Sequence, residues 1–181
     1  MVSSVPTAQV TERATIDAAI AGDVAAFAVI VRAHHNDLVR VCQVILGDPD
    51  LAQDAAQMAW AVAWRRLGSV RDLSRVRQWL VSVAANEARQ LLRRERRDRV
   101  VEIDVVNVEA DGSDPAGRAA NVDLLAAVRR LPAQDRALLA MRYVAGLDAT
   151  EIADAVGISA SGVRSRLSRL VERLRSEVGD E

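Results

Sequence analysis

Cysteine, lysine and aromatic residues are scarce or absent in this chain. The single cysteine, Cys42, has no second thiol to pair with, which excludes a scaffold held by internal disulfides. Aromatic residues make up 3% of the chain while half of its residues are hydrophobic, so the core must be built from alanine, leucine and valine. With only nine glycines and four prolines, this composition favours packed helices over sheets.

Long hydrophobic segments are missing too. No apolar run reaches the ~18 residues that span a bilayer. The N-terminus lacks a positive segment followed by an apolar core, so no secretory signal is visible. Cys42 falls on an apolar helical face, which predicts a buried thiol. We therefore expect a cytoplasmic protein without membrane insertion.

The residue sets that catalyse reactions or hold metals and phosphates are also missing. The sequence has no Cys/His/Asp cluster, no glycine-rich phosphate loop and no Ser/His/Asp combination, which disfavours an enzyme acting on nucleic acid. His34 and His35 lack the companions of a metal site. We predict no catalytic residues, no metal and no cofactor.

Charge is segregated along the chain although the net charge is only -1. All 24 basic residues are arginine, and eleven of them lie between residues 60 and 99 against four acids. Residues 100–117 hold five acids and no base. Two basic blocks separated by an acidic one indicate a polyanionic partner contacted at two places. From these counts alone, ordinary solvated surface charge stays open as the alternative.

Residues 147–175 carry the pattern of a helix-turn-helix. Ile152, Ala153 and Val156 have the spacing of a short amphipathic helix. Gly157 can take the left-handed conformation that ends a helix, and Ser159 can cap the next one. Four apolar residues spaced three or four apart predict the packed face of that second helix: Val163, Leu167, Leu170 and Leu174.

The side of this second helix opposite its packed face is rich in arginine, and Ile158 and Val163 are expected to fill the corner between the two helices. A helix-turn-helix presents the N-terminal half of its second helix to the major groove of DNA. We therefore predict DNA binding. The alternative is an ordinary helical hairpin with a solvated arginine face.

The plan of the whole chain is all-α, with two small helical domains joined by a flexible acidic linker. Residues 1–22 are an N-terminal extension and residues 23–99 form the first domain. Residues 100–120 are the acidic linker, marked by Asp-Gly-Ser-Asp-Pro. Residues 121–181 form the second domain with the helix-turn-helix.

Two motif sets in this order resemble the extracytoplasmic-function (group 4) sigma factors of bacterial RNA polymerase. The first is LGDPDLAQDAAQMAWAVAWRRL followed by VRQWLVSVAANEARQLLRRERR; the second is LPAQDRALLAMRYVAGLDATEIADAVGISASGVRSRLSRLVERLR. The resemblance implies a transcription initiation factor, not an enzyme. Its implied partners are core RNA polymerase, promoter DNA and an anti-sigma factor that covers the polymerase-docking face.

The resemblance also implies roles for individual residues. Asp54 and Gln57, on one helical face, match the pair that docks on core polymerase. Trp79, Asn86 and Arg89 fall where the family reads and melts the minus-ten element, although large aromatic residues on amphipathic helices usually belong to the core, and this is the stronger expectation for Trp79. An asparagine can grip the edge of a flipped base with its donor and its acceptor. Phosphate contacts to the separated strand are implied for Arg77, Arg93 and Arg94.

In the second domain, the resemblance places the minus-thirty-five element against the second helix of the helix-turn-helix. The implied major-groove residues are Ser161, Arg164, Ser165 and Arg166, with Arg169 placed more for phosphate. In the family the linker runs through the polymerase's active-site cleft, for which an acidic segment is suited.

The main alternative is a free-standing helix-turn-helix regulator whose N-terminal helices dimerise or bind a small ligand. It leaves the arginine-rich helix with Asn86 and the acidic linker unexplained. A dimeric regulator would bind a palindrome, whereas a sigma factor requires two unlike elements.

Overall fold

The computed structural model describes residues 7–98 and 115–179, and the regular structure within these ranges is entirely helical. This confirms the all-α prediction for the described residues. The α-helices, in chain order, are α1 Thr7–Ile20, α2 Val24–Leu46, α3 Pro49–Arg66, α4 Val76–Asp98, α5 Pro115–Arg130, α6 Ala133–Leu139, α7 Ala149–Val156 and α8 Ala160–Gly179.

The break between α2 and α3 has a clear chemical origin. Gly47 adopts φ 75°, and its N–H donates to the carbonyl of Gln43, which closes α2. The Asp48 carboxylate then accepts hydrogen bonds from the N–H groups of Asp50 and Leu51, both at 2.9 Å. Pro49 follows at the first helical position, where its missing N–H costs nothing. These residues therefore reverse the chain and start α3.

Between α3 and α4 the chain makes two short 3₁₀ turns, Leu67–Ser69 and Leu73–Arg75. The Asp72 carboxylate caps the second turn: it accepts from the N–H of Ser74 at 3.0 Å and from its hydroxyl at 2.6 Å. Both hydrogen bonds hold the pKa of Asp72 below its ordinary value, and the bond from the Ser74 hydroxyl is the larger cause.

Two helices lie wholly or partly within segments that sequence analysis assigned outside the two domains. The N-terminal extension assigned to residues 1–22 contains α1, whose Ile16 and Ala19 are buried against the first helices. Helix α5 begins at Pro115, within the segment assigned to the acidic linker, and proline readily takes the first position of a helix. Residues 99–114, most of that linker, lie outside the described residues.

The first bundle, α1 to α4, packs through alanine. Five buried alanines face inward along α3: Ala52, Ala55, Ala56, Ala59 and Ala63. Small side chains let helix axes approach closely, which explains how a core with few aromatic residues is filled. Cys42 is fully buried, and its thiol lies 3.6 Å from the carbonyl oxygen of Ala84, to which it donates. The predicted buried thiol is confirmed, and burial raises its pKa to about 12.

The second bundle comprises α5 to α8. Its helix α6 continues as a π-helical turn, Ala140–Val144. A π-helical turn carries one extra residue per turn. Here Ala140 and Met141 face the interior while Tyr143 is 63% exposed.

The two bundles are packed against each other. Helix α2 contacts α6 and the π-helical turn, and α4 contacts α6 and α7. Buried residues of both bundles therefore belong to one continuous hydrophobic cluster. Sequence analysis predicted two domains without placing them relative to each other. Among the described helices, none is long and apolar enough to cross a membrane.

Candidate nucleic-acid interface

The helix-turn-helix is formed by α7 and α8. Gly157 adopts φ 74° and ends α7, and the hydroxyl of Ser159 accepts from the N–H of Gly162 at 3.1 Å. The predicted apolar face of α8 is buried, with Val163 fully inaccessible. Ile158 is 37% exposed, so it is much less buried at this corner than Val163.

Helix α7 is fixed at its start by a reciprocal pair of hydrogen bonds. The Asp148 carboxylate accepts from the N–H groups of Thr150 at 2.7 Å and Glu151 at 2.9 Å. The Glu151 carboxylate in turn accepts from the N–H of Asp148 at 2.6 Å. The backbone bond from Glu151 is the first cause that holds the pKa of Asp148 below its ordinary value. This capping box orients the helix that precedes the recognition helix.

On α8, four of the five predicted reading residues are exposed: Ser161, Arg164, Ser165 and Arg169. Arg166 is only partly exposed, because its Nε lies 2.7 Å from Oδ1 of Asp135 on α6. The Asp135 side chain is only 13% exposed. The ion pair therefore ties α8 to α6 in addition to any contact with a ligand.

On α4, Trp79, Asn86 and Arg89 line one cleft of about 640 Å³. Nη2 of Arg89 donates to Oδ1 of Asn86 at 3.3 Å, while Nε of Arg89 is buried without a hydrogen-bond partner. Burial, and after it the charge of Arg93, lowers the pKa of Arg89. The Arg89 guanidinium thus has a hydrogen-bond donor without a partner and lies beside the side-chain amide of Asn86.

The remaining residues predicted on α4 divide into two groups. Arg77 is partly buried and forms an ion pair with Asp37 of α2, with Nη2 and Oδ2 3.2 Å apart. Arg93 and Arg94 are exposed near the C-terminal end of α4. Trp79 is partly buried and packs against the hydrophobic cluster, so both expectations for it, core and cleft, have a structural basis.

Sequence analysis missed several polar residues at this surface. Arg65 and Arg66, at the end of α3, line the same cleft as Asn86, and their place in the arginine-rich block was a signal that could have found them. Arg75 and Gln78 contact acidic residues of α7. No local pattern predicts those pairings.

Asp54 and Gln57 are both exposed on α3, three residues apart and so on one side of the helix. The histidines have structural surroundings: Nδ1 of His35 accepts from Nε1 of Trp60 at 3.2 Å, and burial lowers the pKa of His34. Within the described ranges no group of three potential metal ligands is found.

Both halves of the chain match models of known families. The model for sigma-70 region 2 matches residues 30–98, and the model for sigma-70 region 4 matches residues 121–174. The second match contains the helix-turn-helix, and the first contains α4 with Asn86 and Arg89.

Relatives extend these matches over most of the chain. The ECF RNA polymerase sigma factor SigM of Mycobacterium tuberculosis is 31% identical over 164 residues, which covers 88% of this chain and 81% of SigM. A probable RNA polymerase sigma factor of Xanthomonas campestris, RfaY, is 29% identical over 168 residues. That match covers 88% of this chain but only 42% of RfaY, so the chain spans less than half of this relative.

A solved structure has the same fold. It is the co-crystal structure of the sigma factor RpoE with the anti-sigma factor NepR from Bartonella quintana. The TM-score is 0.70 at 21% sequence identity, with 84% of this chain and 96% of the other covered.

Proposed function

This chain belongs to the extracytoplasmic-function group of sigma-70 factors, and we propose that it binds promoter DNA through two surfaces and core RNA polymerase through a third. Core RNA polymerase supplies the catalytic centre. The chain supplies promoter specificity and performs no chemistry itself. It acts in the cytoplasm, where the polymerase is.

The observation that carries the proposal is the pairing of two unlike arginine-bearing surfaces in one chain. One is the cleft on α4 with Asn86 and Arg89; the other is the exposed N-terminal half of α8 with Arg164. A promoter has two unlike elements, and a protein that contacts both gains affinity because the second contact is intramolecular.

At the minus-ten element, the cleft on α4 takes the separated strand. Asn86 offers a donor and an acceptor to a base edge, and Trp79 at the cleft wall offers a stacking surface. Exposed Arg93 and Arg94 hold phosphates without regard to sequence. Arg77 contributes its charge from the ion pair with Asp37.

At the minus-thirty-five element, α8 enters the major groove. Arg164, Ser161 and Ser165 are the exposed reading residues, and an arginine bidentate to guanine supplies about 1–3 kcal/mol of discrimination. Arg166 combines this role with its ion pair to Asp135. Arg169 binds phosphate.

Docking on core polymerase uses Asp54 and Gln57, because a carboxylate and an amide on one exposed face suit arginine and backbone partners. An anti-sigma factor controls this face. The similar RpoE fold was solved with the anti-sigma factor NepR, which supports control of this chain by a partner of that class.

A direct test is run-off transcription with purified core polymerase on the fragment upstream of the chain's own gene. We expect defined transcripts only when the protein is added, and their loss when either of two spaced elements is deleted. A pull-down with core polymerase accompanies the assay. If the protein does not associate with polymerase, the proposal fails and a free-standing regulator, which would select a palindrome, takes its place.

The two DNA surfaces can be separated by substitution. Arg164→Ala is expected to weaken use of the upstream element, and so to reduce the transcripts that depend on it, while polymerase association is kept. If Arg164→Ala instead removes polymerase association, the assignment of α8 to DNA is wrong.

A further inference from the structure

One ion pair of the second bundle joins a proposed reading residue to a carboxylate on another helix. Nε of Arg166 on α8 lies 2.7 Å from Oδ1 of Asp135 on α6. The two side chains differ in exposure, since Asp135 is 13% exposed and Arg166 is 33% exposed. The carboxylate is therefore enclosed by protein, while part of the arginine remains open to solvent on the helix that is proposed to enter the major groove.

The contact with Asp135 uses only one edge of the guanidinium. Within the described part of the chain, Nε is the only nitrogen of Arg166 that forms a hydrogen bond. A guanidinium carries five N–H donors in a planar fork, so the two terminal nitrogens, Nη1 and Nη2, keep their donors. Those two nitrogens form a pair that can bind O6 and N7 of one guanine.

Asp135 is held in place by the backbone around it. The carbonyl of Pro132, just before α6, accepts from the N–H groups of Asp135 at 2.9 Å and Arg136 at 3.1 Å. The next two residues, Ala137 and Leu138, are buried in the core. The carboxylate thus projects from a fixed turn, and its short, charge-assisted hydrogen bond sets the direction of the guanidinium.

The other arginines on the exposed side of α8 lack a support of this kind. Arg164 and Arg169 are exposed, and Nε of Arg169 donates only to a backbone carbonyl one turn earlier, at 3.4 Å. Arg173 pairs with Glu177 of the same helix. Among the described residues of this side, Arg166 is therefore the arginine whose guanidinium is oriented by a second helix.

We propose that Asp135 is a positioning residue for promoter recognition: it holds the Arg166 guanidinium so that Nη1 and Nη2 meet a guanine in the major groove. The inference rests on the proposed function of α8 at the minus-thirty-five element. It gives Asp135, which lies outside the helix-turn-helix, control over base preference at one position. Asp135 acts through Arg166 and contacts no base itself.

Fixing a side chain before binding acts on base preference more than on general affinity. A mobile arginine loses rotamer freedom when it binds a base edge, which lowers affinity about two- to tenfold. Asp135 removes this cost in advance, and only the base that receives both hydrogen bonds gains from it. Loss of the carboxylate also leaves the positive charge of Arg166 unpaired, so sequence-neutral attraction to phosphates is not weakened.

The test measures the base preference of the full chain bound to core polymerase. Holoenzyme is assembled with the wild-type chain, Asp135→Asn, Asp135→Glu or Arg166→Lys. Each holoenzyme selects duplexes from a random-sequence DNA library, and sequencing of the bound duplexes gives the preference at every base pair of the upstream element. Affinity for a duplex without the enriched sequence measures sequence-neutral binding.

The position read by Arg166 is the one at which Arg166→Lys loses preference, because an ammonium cannot make the paired hydrogen bonds. In the wild type, guanine should be preferred there about 5- to 150-fold. Asp135→Asn should reduce this preference about two- to tenfold. Preference at other positions and sequence-neutral affinity should not fall. Asp135→Glu should restore part of the preference, because it keeps a carboxylate.

Glu177→Gln supplies a matched control. Its carboxylate forms an ion pair of the same length, 2.7 Å, with Arg173 on α8, and neither residue is among those proposed to read DNA. This variant should leave base preference unchanged at every position. Circular dichroism melts of all variants establish that each is folded at the temperature of the selection.

The outcomes separate the positioning role from the proposed function. If the wild-type holoenzyme enriches no upstream element, the proposed function of α8 fails and the positioning role fails with it. If an element is enriched and Asp135→Asn keeps the full preference, the positioning role is refuted while the function of α8 stands. If Asp135→Asn weakens binding to every duplex by the same factor, or alters a position other than the one read by Arg166, Asp135 supports the fold and does not position Arg166.

Discussion

Asp148 is the residue whose ionisation most directly affects the helix-turn-helix. Its carboxylate accepts the two backbone hydrogen bonds that start α7, and its pKa lies below the ordinary value, chiefly because of the bond from Glu151. A lowered pKa means that this stabilisation is present above the ordinary pKa of aspartate and is lost as pH falls through the folded pKa. We therefore expect the melting temperature to fall below about pH 4 in part through Asp148.

Two substitutions isolate this effect. Asn caps a helix about as well as Asp but does not titrate. Asp148→Asn should therefore keep the melting temperature near neutral pH and weaken its dependence on acid, while Asp148→Ala should lower it at every pH. Circular dichroism melts between pH 3 and pH 7 would check both. Equal acid sensitivity in Asp148→Asn and wild type would show that other carboxylates account for it.

The two central arginines of α8 differ in what they do for the fold. Arg166 pairs with an almost buried Asp135 carboxylate, whereas Arg164 is exposed. Removing Arg166 leaves that carboxylate without its partner, which should lower the free energy of unfolding by about 1–2 kcal/mol. Arg164→Ala should leave stability unchanged and weaken only DNA binding. Chemical denaturation measures the effect of each substitution on stability, and titration with duplex DNA measures its effect on binding. Equal stability of both variants would contradict the structural role of Arg166.

The element that depends most on one backbone conformation is the turn between α7 and α8. Gly157 has φ +74°, and a Cβ there would meet no atom within 4 Å, so a side chain is disfavoured by conformation alone. Gly157→Ala should cost about 1 kcal/mol, and Gly157→Asn should cost less. Gly68→Ala is the control, because its Cβ would lie at an ordinary contact distance, 3.5 Å from Ile20, without a positive φ. Equal losses at both glycines would show that φ is not the cause.

The helices of this chain could be predicted where local chemistry defines their ends. Gly157 ends α7 and Ser159 caps α8 at the positions predicted for them, because caps and left-handed glycines operate over a few residues. The start of α1 could not be predicted, since its apolar pattern is sparse and only Ile16 and Ala19 are buried. The family resemblance predicted that Asn86 and Arg89 act together, and both line one cleft.

At the scale of the whole molecule, local pattern loses its predictive power. Arg75 and Asp154 are 79 residues apart in the chain, and nothing in the spacing of either residue selects the other. The amphipathic pattern of α2 shows that one face is buried, but not that the second bundle covers part of it. Packing of one bundle on the other depends on the shapes of both surfaces together, so it follows from the three-dimensional structure alone.

In this arrangement, the residues proposed for polymerase docking are more accessible to a partner than the residues proposed for reading the minus-ten element. Asp54 and Gln57 are exposed on α3, whereas Asn86 and Arg89 lie in the cleft that the second bundle helps to form. The proposed docking residues are therefore open to solvent, while the proposed minus-ten residues Asn86 and Arg89 are partly buried.

Because the proposed docking residues are exposed, we predict that docking can be removed without disturbing the fold. Asp54→Ala with Gln57→Ala should weaken association with core polymerase at least tenfold, since a hydrogen-bonded charged contact contributes about 1.5–3 kcal/mol. The melting temperature and the duplex binding of α8 should not change, because both side chains are exposed. Asp50 and Gln53 supply a matched control, being the same residue types at the same spacing one turn earlier on α3. Equal polymerase affinity of the two double variants, measured by surface plasmon resonance, would remove the docking face from α3.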